Sequence, residues 1–300
     1  MREAVFETTG RITYPDEMVF CFNPNIIKVQ TKNDVTFTIY SDSGGTGGVF
    51  DSTFDHTFTI TKRPFLTDER EGASVVELDI SSYLQALFNI NRSGGMVESK
   101  VIHVKVATSV ASMTFDVTAV WGAIRIGEVF DAPRKVVHFT KFPFTITYYD
   151  KAIKHVGADD APSHVTVETN DCETGVYLRW IDAHGFYQYW LFSEGTEESS
   201  TKDYGEKLLE NFYGSTYGYY GVSRMQGKTT ETSKKVCAPL VSQEVFAMLS
   251  SVVSSPLVDM YEDGRWVPIR VKAGKTTNSG AHLQDFEITI LLPETITQTL

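Results

Sequence analysis

"YLRWIDAHGFYQYWLF", residues 177–192, places two tryptophans, three tyrosines and two phenylalanines in sixteen positions. "DAHG" (182–185) divides the stretch, and its Asp and Gly are explained by turn geometry. The flanks alternate in period two, so the stretch reads as a β-hairpin. In the first strand Leu178 and Trp180 face one way, and Tyr177, Arg179 and Ile181 the other. In the second, Phe186, Gln188, Trp190 and Phe192 share a face, with Tyr187, Tyr189 and Leu191 opposite. The face carrying Leu178, Trp180, Phe186, Trp190 and Phe192 is expected in the core of a second domain. A fully buried Trp or Phe there contributes about 2–3 kcal/mol at ~25 cal/mol per Å². The opposite face, with Tyr177, Arg179, Tyr187 and Tyr189, has the composition of a protein interface.

The same period runs through most of the chain. "NIIKVQ", "DVTFTIYS", "HTFTITK", "ASVVELDI", "KVIHVKVAT", "SMTFDVTAVWGAIRI" and "KFPFTITYYD" read as strands in the first half. "SHVTVETN", "PLVDMYED", "RWVPIRVKAG" and "DFEITILLPE" follow in the second. Thr, Val, Ile, Phe and Tyr dominate them, as strand propensity requires. Helices are few and short. "SYLQALF", capped by Ser81 or Ser82, sets Leu84, Leu87 and Phe88 on one face. "DYGEKLLENF" places Leu208, Leu209 and Phe212 at helical spacing. "SQEVFAMLSSVV" has Ser242 as its cap, Glu244 in its first turn, and a stripe of Val245, Met248, Leu249 and Val252. "SGGTGG" (43–48), "TKNDV" and "NRSGGM" read as turns.

The expected fold is therefore mainly β, with two β-sandwich-like domains, each flanked by a short helix. The polar segment 150–163, with Gly157 and Pro162, marks the boundary between a domain of residues 1–155 and one of 156–300. Each half orders a strand, a short helix and further strands, the pattern of a weak duplication.

Composition limits what the chain can do. A net charge of −11, from 27 basic and 38 acidic residues, opposes the clustered cations that nucleic-acid binding needs. No segment approaches the ~20 apolar residues of a membrane helix, and the N-terminus has no apolar run of signal-peptide length. Synthesis and folding in a cytoplasm are expected, without membrane insertion. Cys21, Cys172 and Cys237 are widely spaced, with no metal-ligand spacing, and are expected as buried, reduced thiols. The seven histidines are scattered; His103 and His138 lie in strand patterns and are expected to be structural. No nucleophile elbow appears, and Asp182 and His184 fall on the expected turn. No residue is assigned as catalytic, cofactor-binding or metal-ligating, and no cofactor is expected. A second aromatic cluster, "FYGSTYGYYGV", adds Tyr213, Tyr217, Tyr219 and Tyr220 among glycines. Tyr217, Tyr219 and Tyr220 join Tyr177, Arg179, Tyr187 and Tyr189 as candidate interface residues.

"FNPNIIKVQ", the aromatic hairpin, "SPLVDMYEDGRWVPIRVKAG" and "FEITILLPE" together resemble tail or baseplate-associated proteins of Bacteroidetes phages and prophages. The resemblance spreads over most of the chain through structural motifs, none of them a catalytic signature. It implies a virion structural subunit that forms a ring-like homo-oligomer and contacts other tail or baseplate proteins. Two other readings stay open: a carbohydrate-binding module for host-surface glycans, and a β-rich glycoside hydrolase.

Overall fold

The computed structural model describes every residue except 9, 42–56, 67–73, 90–98, 126–134, 150–152, 211–221, 273–276 and 300. The fold is mainly β, with two α-helices among the described residues. The chain divides into two compact units, but not at one boundary near residue 155. The first comprises 1–136, 145–167 and 181–187; the second comprises 137–144, 168–180 and 188–300. Segments of each are interleaved in sequence, which a reading of local composition does not register.

In the first unit, β1 (Arg2–Phe6), β2 (Gly10–Tyr14), β3 (Met18–Phe20), β4 (Ile26–Gln30) and β5 (Val35–Tyr40) come first. They are followed by β6 (Thr57–Lys62), β7 (Phe65–Leu66), β8 (Ser74–Asp79), α1 (Ser81–Asn89), β9 (Ser99–Ala107) and β10 (Ser112–Val120). They form two five-stranded sheets, ordered β1-β2-β4-β8-β7 and β3-β10-β9-β5-β6. Period two decides which residues meet between them: Val35, Phe37 and Ile39 of β5 are fully buried while Thr36, Thr38 and Tyr40 are half-buried. Their partners in one apolar core are Ile12, Ile27, Val29, Ile102, Val104 and Val117, with Leu84 and Leu87 from α1. Phe88, the third residue of the expected helical stripe, is half-buried against it.

"FNPN" has a local physical role. The Asn23 amide donates to Ile124 O and accepts from Ile124 N, both at 2.7 Å. The buried Asn25 amide donates to Phe20 O and Asn23 O at 2.8 Å. Asp79 Oδ1 accepts from Asn25 N at 3.1 Å and from Ser81 N at 3.0 Å. Ser81 opens the helix rather than capping it, and its hydroxyl lies 2.6 Å from Asn23 O. Burial pushes the Asp79 carboxyl up, and the hydrogen bonds from Ser81 and Asn25 outweigh it, holding Asp79 below its usual range. Glu7 behaves alike: hydrogen bonds from Thr108, Asn33 and Thr31 overcome burial and lower its pKa.

Two short pairs come next in the chain: β11 (Lys135–Phe139) with β14 (Thr166–Asn170), and β12 (Ile146–Tyr149) with β13 (Ile153–Val156). The expected strand "KFPFTITYYD" is extended ladder only in β12; residues 140–145 lie outside any strand.

The second unit is built on β15 (Val176–Ile181), β16 (Tyr187–Glu210), β17 (Val222–Ser242), α2 (Gln243–Ser254), β18 (Val258–Glu262), β19 (Arg265–Val271), β20 (Leu283–Leu291) and β21 (Thr295–Thr299). The sheet order is β16-β15-β18-β19-β20-β17-β21, and β16 also pairs with β17, so the ladder closes into a six-stranded ring with β21 outside it. The closure removes most edges from this part of the sheet. α2 adds Phe246, Leu249 and Val252 to the apolar core of this unit, and Ser242 Oγ accepts from Val245 N at its start. Phe246 therefore takes a place in the apolar stripe that the spacing assigned to Val245 and Met248, which are half-buried beside it.

Candidate interaction surface

The inner face of the aromatic hairpin is core. Leu178, Trp180 and Phe192 are fully buried with Val258, Phe286 and Ile290. The Trp180 indole donates to Ser251 Oγ on α2 at 2.7 Å, which satisfies its one polar atom. Two members of the expected core face depart from it. Trp190 is half-buried, its ring centre 5.6 Å from that of Phe139 with the two rings nearly perpendicular. Phe186 is buried, but within the first unit.

The turn itself belongs to the first unit. Asp182 Oδ1 accepts from His184 N and Phe186 N, at 2.9 and 3.0 Å, which accounts for the Asp. Gly185 has φ +89°, and a Cβ there would sit 2.6 Å from Val120 Cγ1. A Cβ on Gly122 would sit 2.3 Å from the His184 carbonyl carbon. Asp182 and His184 are thus fixed by turn and packing geometry.

The outer face does not match the expected open docking surface. Tyr177 is 1% exposed and Tyr189 8%. The chain's own residues 137–144 cover them. The Phe142 ring lies 4.5 Å from that of Tyr177, Phe139 lies edge-on to Tyr177 at 6.0 Å, and Phe144 lies 5.3 Å from Tyr189. The Tyr177 hydroxyl donates to Pro143 O at 3.1 Å. Burial, reinforced by neighbouring Tyr189, raises the Tyr177 pKa. Tyr187 is half-buried and assigned to the first unit. Tyr217, Tyr219 and Tyr220 lie outside the described residues.

Arg179 is also committed internally. Its Nε and Nη2 donate to Asp259 Oδ2 at 3.1 and 2.8 Å, and its guanidinium sits 4.3 Å from the Trp266 ring centre. Trp266 in turn meets Tyr261 at 5.1 Å and Tyr177 at 5.7 Å. Asp259 pairs with Arg179 across β15 and β18, and Tyr261 with Trp266 across β18 and β19. Phe139, Phe142, Phe144, Asp259, Tyr261 and Trp266 are members of this face that sequence reading did not join to it. The alternation Asp259-x-Tyr261 marked a strand, but nothing local linked it to Arg179, 80 residues earlier.

A second surface lies on the long hairpin of β16 and β17, which stay paired from Ser193↔Cys237 to Glu210↔Val222. Residues 203–210, expected as a helix in "DYGEKLLENF", are therefore strand, because all but Gly205 and Glu206 are matched to a β17 partner, around a bulge at Gly205, φ +77°. Every residue from 193 to 207 is exposed. At ~3.3 Å per residue this stretch is on the order of 45–50 Å long. The ribbon holds itself by polar cross-strand pairs: Thr201 with Thr230, Ser199 with Thr232, and Lys234 with Glu194 at 3.3 Å.

The cysteines also divide. Cys21 is buried, which pushes its thiol up to about 12; Cys237 is half-buried; Cys172 is exposed, contrary to expectation, because it lies in the turn after β14. His103 Nδ1 lies 2.6 Å from Asp116 Oδ1, and His138 stacks on Phe144 at 5.0 Å. Among the described residues no His, Cys, Asp or Glu group is placed to hold a metal ion, and no helix is long and apolar enough to cross a membrane. No protein-family model, curated protein or solved structure matches the chain.

Proposed function

We propose that this chain is a non-enzymatic structural subunit of a phage or prophage tail or baseplate, assembling through its β-domains into a ring-like oligomer. The observation that carries the reading is the long β16–β17 hairpin, whose β16 strand is exposed at every residue from Ser193 to Lys207. β17 is held on its other side by β20 and β21, whereas β16 continues past the ring as a long polar strand with, among the described residues, no apolar side chains buried under it, which is best explained by surfaces it meets on assembly. Such a ribbon serves reach and contact rather than catalysis. The strand-by-strand closure of the second unit supports the same role, since it gives the ribbon a rigid base.

Mass photometry of the wild-type chain at micromolar concentration tests the reading. A discrete oligomer is expected, either alone or mixed with products of the flanking genes. Replacing residues 205–226 by an Asn-Gly turn keeps the ladder with β21 and removes the outer ribbon with the connection carrying Tyr217, Tyr219 and Tyr220. That variant is expected to stay folded and lose the oligomer. A wild-type chain that remains monomeric under both conditions refutes the assignment.

A further inference from the structure

The geometry points to the aromatic face of the second unit as a docking site that accepts the 137–144 segment of a second copy in place of its own. This rests on the reading of the chain as a self-assembling subunit, and names one contact through which copies join.

The occupant's chemistry is already on display. Phe139, Phe142 and Phe144 present three rings at spacing Phe-x-x-Phe-x-Phe to Tyr177, Tyr189, Trp190 and Tyr261. Residues 140–144 add no strand to the sheet beneath them. The start of the segment is held by the two-stranded pairing of β11 with β14 and by Thr140 N donating to Asn170 O at 3.1 Å. Beyond that, side chains and single hydrogen bonds hold it: Tyr177 Oη to Pro143 O, Thr140 Oγ1 to Asp171 Oδ1 at 3.0 Å, and Lys141 to Glu173 at 3.3 Å. Thr140, Lys141 and Pro143 are exposed and Phe142 and Phe144 half-buried, so Phe139 alone of these six is buried. Removing such a cover breaks ring contacts and the short β11–β14 pairing but leaves the seven-stranded sheet closed, the kind of opening that costs less than global unfolding.

The face under it is preformed. Tyr177, Arg179, Tyr189, Asp259, Tyr261 and Trp266 stand on four paired strands, and the Arg179–Asp259 pair and its stack on Trp266 involve no residue of 137–144. The chain enters the second unit at Val137 and leaves it after Phe144, with first-unit residues on either side. An identical segment from another copy repeats every contact, and only connectivity changes, which is the condition for exchange between protomers. The Tyr, Trp and Arg content that marks this face as an interface in the sequence is thereby explained: its resident partner is a piece of the same chain.

The test uses a fluorescent peptide of residues 135–146 and the full chain carrying Phe142→Ala and Phe144→Ala, which spares the buried Phe139. Saturable binding is expected, about tenfold tighter than to wild type, whose own segment competes. The peptide with all three phenylalanines changed to serine, or the chain with Trp266→Ala added, is expected to lose about tenfold or more. Co-refolding the Phe142→Ala/Phe144→Ala chain with a differently tagged Trp266→Ala chain should yield mixed oligomers in preference to either alone. Circular dichroism and the urea midpoint establish that each variant is folded; if the double variant is not, Phe142→Ala alone replaces it. Absence of saturable binding to a folded variant, or equal binding to the Phe142→Ala/Phe144→Ala chain with and without Trp266→Ala, overturns the docking site. If wild type still assembles in that case, the subunit reading survives. If the peptide binds while wild type stays monomeric, the docking chemistry stands and the subunit reading falls.

Discussion

Replacing Arg179 by Leu should destabilise the second unit by about 3 kcal/mol, more than replacing Asp259 by Leu. The asymmetry follows from burial: the Asp259 side chain is 7% exposed and that of Arg179 16%. Two unit charges about 4 Å apart attract by ~4 kcal/mol at an effective dielectric of ~20. Breaking a buried pair from one side loses that attraction and leaves the other charge uncompensated, for a total of about 3–5 kcal/mol. Partial exposure places this pair at the low end. Asp259→Leu leaves a guanidinium that still stacks on Trp266 at 4.3 Å and reaches solvent, so about 1–2 kcal/mol is expected. The double Leu variant should cost less than the sum of the two by at least about 1.5 kcal/mol, since neither charge is then stranded. Urea unfolding followed by tryptophan fluorescence reads this out. Three of the four tryptophans, at 180, 190 and 266, belong to the second unit. With a slope of ~3 kcal/mol per M, the Arg179→Leu midpoint should fall by roughly 1 M. Equal costs for the two single variants, or costs that simply add, would refute the reasoning that a desolvated carboxylate dominates this pair.

The first unit should lose stability on acidification. Glu7 and Asp79 have folded pKa values below their unfolded ones, so their contribution is complete above about pH 4–4.5 and disappears as pH falls through the folded values. Asp79→Asn should flatten that part of a melting-temperature-versus-pH curve; an unchanged slope would count against it. Gly122→Ala should destabilise by about 2 kcal/mol or more, because the new methyl meets the His184–Gly185 backbone at 2.3–2.6 Å and backbone cannot step aside cheaply; a thermal melt within 1 °C of wild type would contradict it. Thiol labelling at pH 8 should consume Cys172 quickly and Cys237 more slowly, with Cys21 reacting only on unfolding. Labelling of all three thiols in the folded chain would show that burial does not protect Cys21.

Legibility followed burial on one side. β5, β8 and β9 alternate buried and more exposed residues, and all three were readable from sequence. The outer half of β16 was not. From Ser193 to Lys207 both faces of the strand meet solvent, so no hydrophobic period exists to detect, and the spacing of Leu208, Leu209 and Phe212 in the sequence mimics a helix. In β15 the failure is opposite: Val176, Tyr177, Leu178, Trp180 and Ile181 are all buried, so the alternation of chemistry no longer reports exposure. The candidate site suffered most from this. Tyr177 and Arg179 were picked correctly as unusual, but as partners for another molecule rather than for Phe142 and Asp259.

By itself, the sequence determined the β class, the Ser242-capped helix and the turn at Asp182–Gly185, because each depends on contacts or dihedral preferences within a few residues. Tertiary structure alone decided that β16 closes the second unit's sheet and continues as a ribbon, and that residues 137–144 cover its aromatic face. Those outcomes depend on pairings between residues tens of positions apart, whose free energy has no signature in either segment until the two are brought together.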